Sequence, residues 1–268
     1  MAVKWVDRVP TYPNRVKITP ENGSPYYATV ERADSPTVVG TPVNAQNLNA
    51  MQEASGLTAH KTVYVATTGS DAVGDGSQAS PFATITKALT SIPKNLNGFV
   101  ATVNIAGGVY QESVYAAYFG NGLLRITGKA GDVVTVDKIE FFNVNYVEID
   151  SISLHIQSQF FHVNASSVRV QTPFSASGSQ YGVYASYFSN VSFRDTVTVN
   201  GVPNAIFATS GSSIFVTHLL GSGNTVAFAS TQGSICAFDK DESTATTKYY
   251  TLAGGRIYSG AQTSAPNN

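Results

Sequence analysis

Glu148 and Asp150 are the residues whose type and spacing most invite chemistry. At i and i+2 of a strand they share one face, roughly 6.5–7 Å apart. That approaches the separation at which inverting glycosidases leave room for a water. The repeat described below sets Arg125 and Arg169 on either side of Glu148. Flanking cations hold a carboxyl ionised, the wrong state for a general acid. The pair therefore reads first as ladder charges, with a catalytic pair as the weaker alternative. Asp71 and Asp75 border the Gly74–Ser77 loop "GDGS", which lacks the alternate acidic ligands of an EF-hand and the Gly-Lys-Ser/Thr of a phosphate loop. A structural turn is expected there, with the two aspartates as weak calcium candidates. His60, His155, His162 and His218 show no metal-ligand spacing. Cys236 is the one cysteine, so neither a disulfide framework nor a cysteine-based zinc site is possible, and with no base placed beside it no thiol nucleophile is expected. Neither a metal nor a cofactor is expected.

The elements that must position these residues follow from composition and period. Sixteen Lys and Arg against seventeen Asp and Glu leave no field to hold nucleic acid or an anionic membrane surface. Charged residues are only 12% of the 268, while 23 Gly, 14 Phe and 14 Tyr accompany many Ser, Thr, Val and Asn. That balance favours strands joined by many turns. No run approaches 18 apolar residues, so no membrane-inserted span is expected. The opening "MAVKWVDRVP" lacks the apolar core of a signal peptide.

The chain repeats. The pairs Val103-x-Ile105, Leu124-x-Ile126, Val147-x-Ile149, Val168-x-Val170, Val191-x-Phe193, Ile214-x-Val216 and Ile235-x-Ala237 recur at steps of 21, 23, 21, 23, 23 and 21 residues. Such a unit is too short for a helical-pair repeat and lacks the leucine frame of a horseshoe. One turn of a parallel β-helix fits it. An all-β fold follows: a β-solenoid over 61–245, an N-terminal arm over 1–60 and an end segment over 246–268. Phe161, Tyr184, Phe207 and Phe228 each lie seven residues before a pair and are expected to stack inside. The residue within each pair faces outward, giving a column of Asn104, Arg125, Glu148, Arg169, Ser192, Phe215 and Cys236. Arg125, Glu148 and Arg169 should alternate in sign along it. Phe215 and Phe238, followed by Tyr249 and Tyr250, suggest an apolar face buried between subunits. The segment from Pro81 to Pro93 carries Phe82, Ile85, Ala88, Leu89 and Ile92 at helical spacing, a cover for the open first coil.

Two resemblances rest on these residues. "VYVATTGSDAVGDGSQASPFATITKALTSIP" with "VATVNIAGGVYQESV", across 63–114, resembles the opening segment of pectate-lyase-like right-handed β-helices, through its strand, Gly-Asp-Gly loop, Ser-Pro-Phe helix and Gly-x-Tyr-x-Glu turn. The family spans polysaccharide lyases, adhesins and phage tailspikes, so it implies fold more firmly than activity. Residues 1–52 resemble the attachment segment of tail and baseplate-associated proteins of phages and prophages of Gram-positive bacteria, through Trp5-x-Asp7-Arg8, Pro13-Asn14-Arg15 and Gly40-Thr41-Pro42-x-Asn44-x-x-Asn47-Leu48-Asn49. A generic extended arm is the alternative, and "QNLNAMQEAS" would form a short helix.

Together these imply a virion protein, assembled in the host cytoplasm and closing as a homotrimer. Residues 1–60 would meet other tail or baseplate proteins. The shaft would meet host cell-surface polysaccharide as a tail spike or fibre. A glycan-degrading enzyme of the same fold and a purely structural decoration protein are the alternatives. The lyases' acidic cluster has no counterpart here, and even coil lengths leave no room for long cleft-forming loops. A shallow sugar site would rely on aromatic faces, and the candidates are Tyr115, Tyr118, Phe119, Tyr181 and Tyr187.

Overall fold

The structure is a computed structural model, and it describes residues 15–18, 26–29, 56–178 and 180–260. The chain divides into two compact units, Met1–Ser55 and Gly56–Asn268. In the first, Arg15–Ile18 pairs antiparallel with Tyr26–Thr29. The attachment motifs and the short helix expected before residue 55 otherwise lie outside the described residues.

The second unit is an all-β parallel solenoid. Its eighteen strands form one continuous ladder in which each coil pairs with the coils before and after it. The ladder wraps three faces. Face A begins with Lys61–Val65, Val100–Ile105, Leu123–Gly128 and Val147–Ile149 and continues to Arg256–Ser259. Face B contains Ser153–Ile156 and Phe174–Ser177. Face C contains Phe161–Asn164, Tyr181–Ser186, Asn204–Ala208, Asn224–Thr231 and Ala245–Leu252. Longer strands such as Asn190–Asn200 turn the corner from A to B, and the register shift between Phe193 and Thr196 marks the bend.

On face A the inner column runs Ala101, Leu124, Val147, Val168, Val191, Ile214, Cys236 and Ile257. Its steps of 23, 23, 21, 23, 23, 22 and 21 residues are the period seen in the sequence. Two registers of the sequence reading are corrected. The first pair is Ala101-x-Val103, which leaves Thr102 in the outward column in place of Asn104. The seventh is Cys236-x-Phe238, so Ala237 faces out while Cys236 is fully buried and Phe238 is 5% exposed.

On face C the inner column is Ile139, Phe161, Val183, Ile206, Phe228 and Tyr249. Phe161 and Phe228 are inside as expected, but Tyr184 and Phe207 face outward, half-buried. The cause is one residue of turn. Between faces C and A, Tyr187–Phe188, Ser210–Gly211 and Gln232–Gly233 each place two consecutive residues at positive φ, whereas the coil of Phe161 uses Ala165 alone. Counting seven back from Val191 or Ile214 therefore lands on the outward neighbour, since a slip of one flips the face.

A serine column pins these turns. Ser166, Ser189, Ser212 and Ser234 accept from the backbone N–H of Val144, Ser166, Ser189 and Ser212 at 2.9, 3.4, 3.1 and 3.1 Å. All four are buried, so each hydroxyl satisfies an amide that has no water to turn to.

The N-terminal cover is shorter than expected, a helix over Ile85–Thr90 with Thr84 as its N-cap. Phe82 precedes it in an isolated bridge to Val65. Phe82, Ile85, Ala88, Leu89 and Ile92 are buried, as their spacing required. Asp71 is a structural carboxylate: it accepts from the amides of Ala83 and Thr84 and from the Thr84 hydroxyl. Asp75 accepts from the Ser77 amide at 2.9 Å. Glu112 seals the helix start through the amides of Ile85 and Thr86. At the other end the ladder continues through Ala245–Leu252 and Arg256–Ser259, so residues 245–259 form a further coil. On face B the inner column Leu154, Phe174, Val197, Leu219 ends in Asp241. Its carboxylate is held by the Ser243 amide and hydroxyl and by Lys248. An inward charge at a last rung discourages further strand stacking.

Candidate functional site

The Glu148–Asp150 pair is engaged by its neighbours. Arg125 lies across both, with Nη2 2.9 Å from Glu148 Oε2 and Nε 3.4 Å from Asp150 Oδ2. Gln171 donates to the remaining Glu148 oxygen, and the Thr127 hydroxyl donates to Asp150. The Glu148 side chain is 11% exposed. Each Glu148 oxygen thus accepts from one side-chain donor. The hydrogen bond to Glu148 in turn raises the Arg125 pKa. The expected column of alternating sign is present, with Arg125, Glu148 and Arg169 in register, and the ion pair to Glu148 is made by Arg125. Arg169 lies over the Tyr146 ring at 5.9 Å, and the next arginine, Arg194, lies over Phe215 at 5.3 Å.

Face C gathers a different constellation on its outer side. Its outward column runs Tyr115, Glu140, His162, Tyr184, Phe207, Ala229 and Tyr250. Because adjacent coils are about 4.8 Å apart, successive rings in such a column meet face to face. His162 stacks on Tyr184 at 4.6 Å and 9°, and Tyr184 on Phe207 at 5.3 Å and 10°. Tyr181, three residues before Tyr184, stacks on both Tyr184 (4.9 Å) and Phe207 (5.3 Å). Phe160 meets Tyr181 and Tyr184 edge-on at 6.0 and 6.4 Å.

One polar edge borders the rings. Glu140 accepts from Lys138 at 2.6 Å and from His162 Nδ1 at 3.1 Å. The His162 Nε2 lies 3.0 Å from Ser186 Oγ, which also accepts from the Asn164 amide at 3.2 Å. Burial holds the His162 pKa below the ordinary imidazole value despite Glu140 beside it. The neutral ring thus donates to Glu140 and accepts from Ser186. The order Glu140–His162–Ser186 matches a nucleophile relay, but Ser186 is 1% exposed. The relay aligns the imidazole under Tyr184 and leaves the serine no open side for a substrate.

The sugar-site candidates separate. Tyr181 joins the ring cluster. Tyr115 and Tyr118 are 50% and 60% exposed and pack on Phe142, at 6.3 and 5.5 Å. Tyr187 is 60% exposed on the turn after Ser186. Phe119 is a correction: it is 1% exposed, its ring beneath the Lys94 ammonium at 3.8 Å, because the turn points Tyr118 outward and its neighbour in. Phe160, His162, Tyr184 and Phe207 were missed as site residues. The turn alignment could have found Tyr184 and Phe207, since Tyr187-Phe188-Ser189 and Ser210-Gly211-Ser212 each carry one residue more than Ala165-Ser166 and move the face assignment by one.

The expected subunit-contact residues do not form one patch. Phe238 is inside, stacked between Phe228 at 4.6 Å and Tyr249 at 5.5 Å, because its strand register is that of Val216. Phe215 is outward on face A. Tyr249 and Tyr250, each 45% exposed, stand at the last coil of face C.

Among the described residues no group of three metal-ligating side chains occurs, and no helix is long and apolar enough to cross a membrane. No protein-family model, curated protein or solved structure matches this chain.

Proposed function

We propose that the chain is a host-recognition protein of a phage or phage-derived tail, a spike or fibre that holds cell-surface polysaccharide without cleaving it. The observation that carries this is the outward ring cluster of face C. A soluble β-surface normally alternates apolar inside with polar outside. Here Phe160, Tyr181, Tyr184 and Phe207 occupy outward positions in consecutive coils, bordered by Lys138, Glu140 and Asn164. Aromatic rings beside a few directed polar groups suit the C–H faces and hydroxyls of sugars. The parallel β-helix is compatible with tailspikes and with polysaccharide-acting proteins. Binding without cleavage is favoured because Arg125 pairs with both members of the Glu148–Asp150 carboxylate pair on face A. In this proposal residues 1–60 dock to tail or baseplate proteins and the shaft assembles as a homotrimer in the virion.

The test is retention on bead-immobilised wall polysaccharide of Gram-positive bacteria, with reducing ends followed over a day. Retention without new reducing ends, weakened by Tyr181→Ala, is the expected result. Steady release of oligosaccharide would make the protein an enzyme. No retention on any wall polysaccharide would leave a structural decoration role.

A further inference from the structure

Among the described residues, three of the eleven non-glycine residues at positive φ are aromatic, and all three stand at the turn from face C to face A: Tyr118 (φ 62), Tyr187 (φ 54) and Phe188 (φ 59). Left-handed backbone is disfavoured for residues with a Cβ, and for a bulky ring it is an outlier that calls for an explanation. The later coils show what the turn accepts without strain. At the position of Phe188 they carry Gly211, Gly233 and Gly254, each at positive φ. Phe188 gains no burial in exchange, being 83% exposed. Its ring rests on Gly211, where a Cβ would come within 2.6 Å of it. The backbone is thus held in a strained form, and its effect is to stand an aromatic ring in solvent.

We propose that Tyr118 and the Tyr187–Phe188 pair are the two posts of a trough that binds a neutral linear saccharide along the solenoid axis. This rests on the glycan-binding function proposed above and gives it an address and a direction. The posts are three coils apart, about 14 Å at the spacing of parallel strands. The floor between them is Asn143 and Ala165, which hold the same turn position in the two intervening coils at φ 50 and 46. Both are small, and Asn143 carries an amide that can serve a hydroxyl. No charged residue occupies 143–145, 165–166 or 187–189, and the Lys94 ammonium beside the first post lies over the Phe119 ring at 3.8 Å, so the floor offers no charge to pair with phosphate or carboxylate and suits a neutral polymer. The trough adjoins the ring cluster of face C, because Tyr187 directly follows Ser186, whose hydroxyl meets His162 Nε2 at 3.0 Å.

The experiment is Phe188→Gly, which installs the residue of the three later coils. Its affinity for the immobilised wall polysaccharide that retains the parent should fall about tenfold or more. Its melting temperature should stay level or rise, because the strain is relieved. Tyr118→Asn, which copies Asn143, should weaken the same polymer. Parental affinity in either variant refutes the trough while leaving glycan binding in place. A loss of affinity accompanied by a lower melting temperature also refutes it, since the ring would then be a packing element. A parent that is retained on no wall polysaccharide brings down the proposed function and the trough together.

Discussion

Phe161 and Phe207 occupy equivalent-looking places in the sequence and opposite sides of the wall, so truncating each tests the register directly. Phe161 is fully buried and meets Phe141, Phe174 and Phe193 at ring distances of 5.8, 5.3 and 5.9 Å. Those rings come from the coils on both sides, so a cavity left by Phe161→Ala cannot collapse without moving the neighbouring rungs. The expected cost is about 3–5 kcal/mol. Phe207 is half-buried on the outer face, with Tyr184 and Tyr181 against it. Phe207→Ala leaves no sealed cavity, so it loses partial burial and ring stacking, about 1–2 kcal/mol. For a unit of roughly 200 residues, 1 kcal/mol moves the melting temperature by about 2–4 °C. Calorimetry should then show Phe161→Ala falling by roughly 6–20 °C and Phe207→Ala by roughly 2–8 °C. Urea titration at fixed temperature supplies the free energies. Equal losses for the two variants, or a Phe161→Ala protein melting within two degrees of the parent, would refute the inner column on which the face assignments rest.

Ser212→Ala should cost about 1–3 kcal/mol, because the buried Ser189 amide loses its acceptor; hydrogen exchange at Ser189 should accelerate, and unchanged exchange would count against the serine column. Burial lowers the pKa of His162 and of His155, so the unfolded chain binds protons more readily below about pH 6.5. Stability should be level above that pH and fall on acidification through the window between the unfolded and the lower folded values, with a shallower fall in His162→Gln; a flat profile from pH 7 to 5 would contradict the burial argument. The Cys236 thiol, fully buried and pushed up to about 12, should resist a maleimide at pH 8 until the protein is unfolded. Rapid native labelling would place Cys236 on the outside, where the sequence alone had put it.

The sequence by itself determined the coil. A β-branched pair every 21–23 residues admits a stack of parallel rungs and little else, because backbone pairing between coils needs only period and hydrophobic alternation, and both are visible in the chain. It also marked the cover, since Ile85, Ala88 and Leu89 fall on one helical face whatever lies beneath. Only the tertiary structure decided which way individual side chains point at the turns. Adding one left-handed residue, as in Tyr187–Phe188 against Ala165, reverses the face of the strand that precedes the turn, and that moved Tyr184 and Phe207 outward; Phe238 moved in because the last pair is Cys236-x-Phe238, in register with Ile214-x-Val216. The locking of Glu148 and Asp150 was half visible: Arg125 is in register by period, but Gln171 and Thr127 completing the cage is a matter of side-chain reach. The ring cluster of face C was the least legible, because Phe160, His162, Tyr181 and Phe207 come from three coils and become neighbours only when the coils stack about 4.8 Å apart.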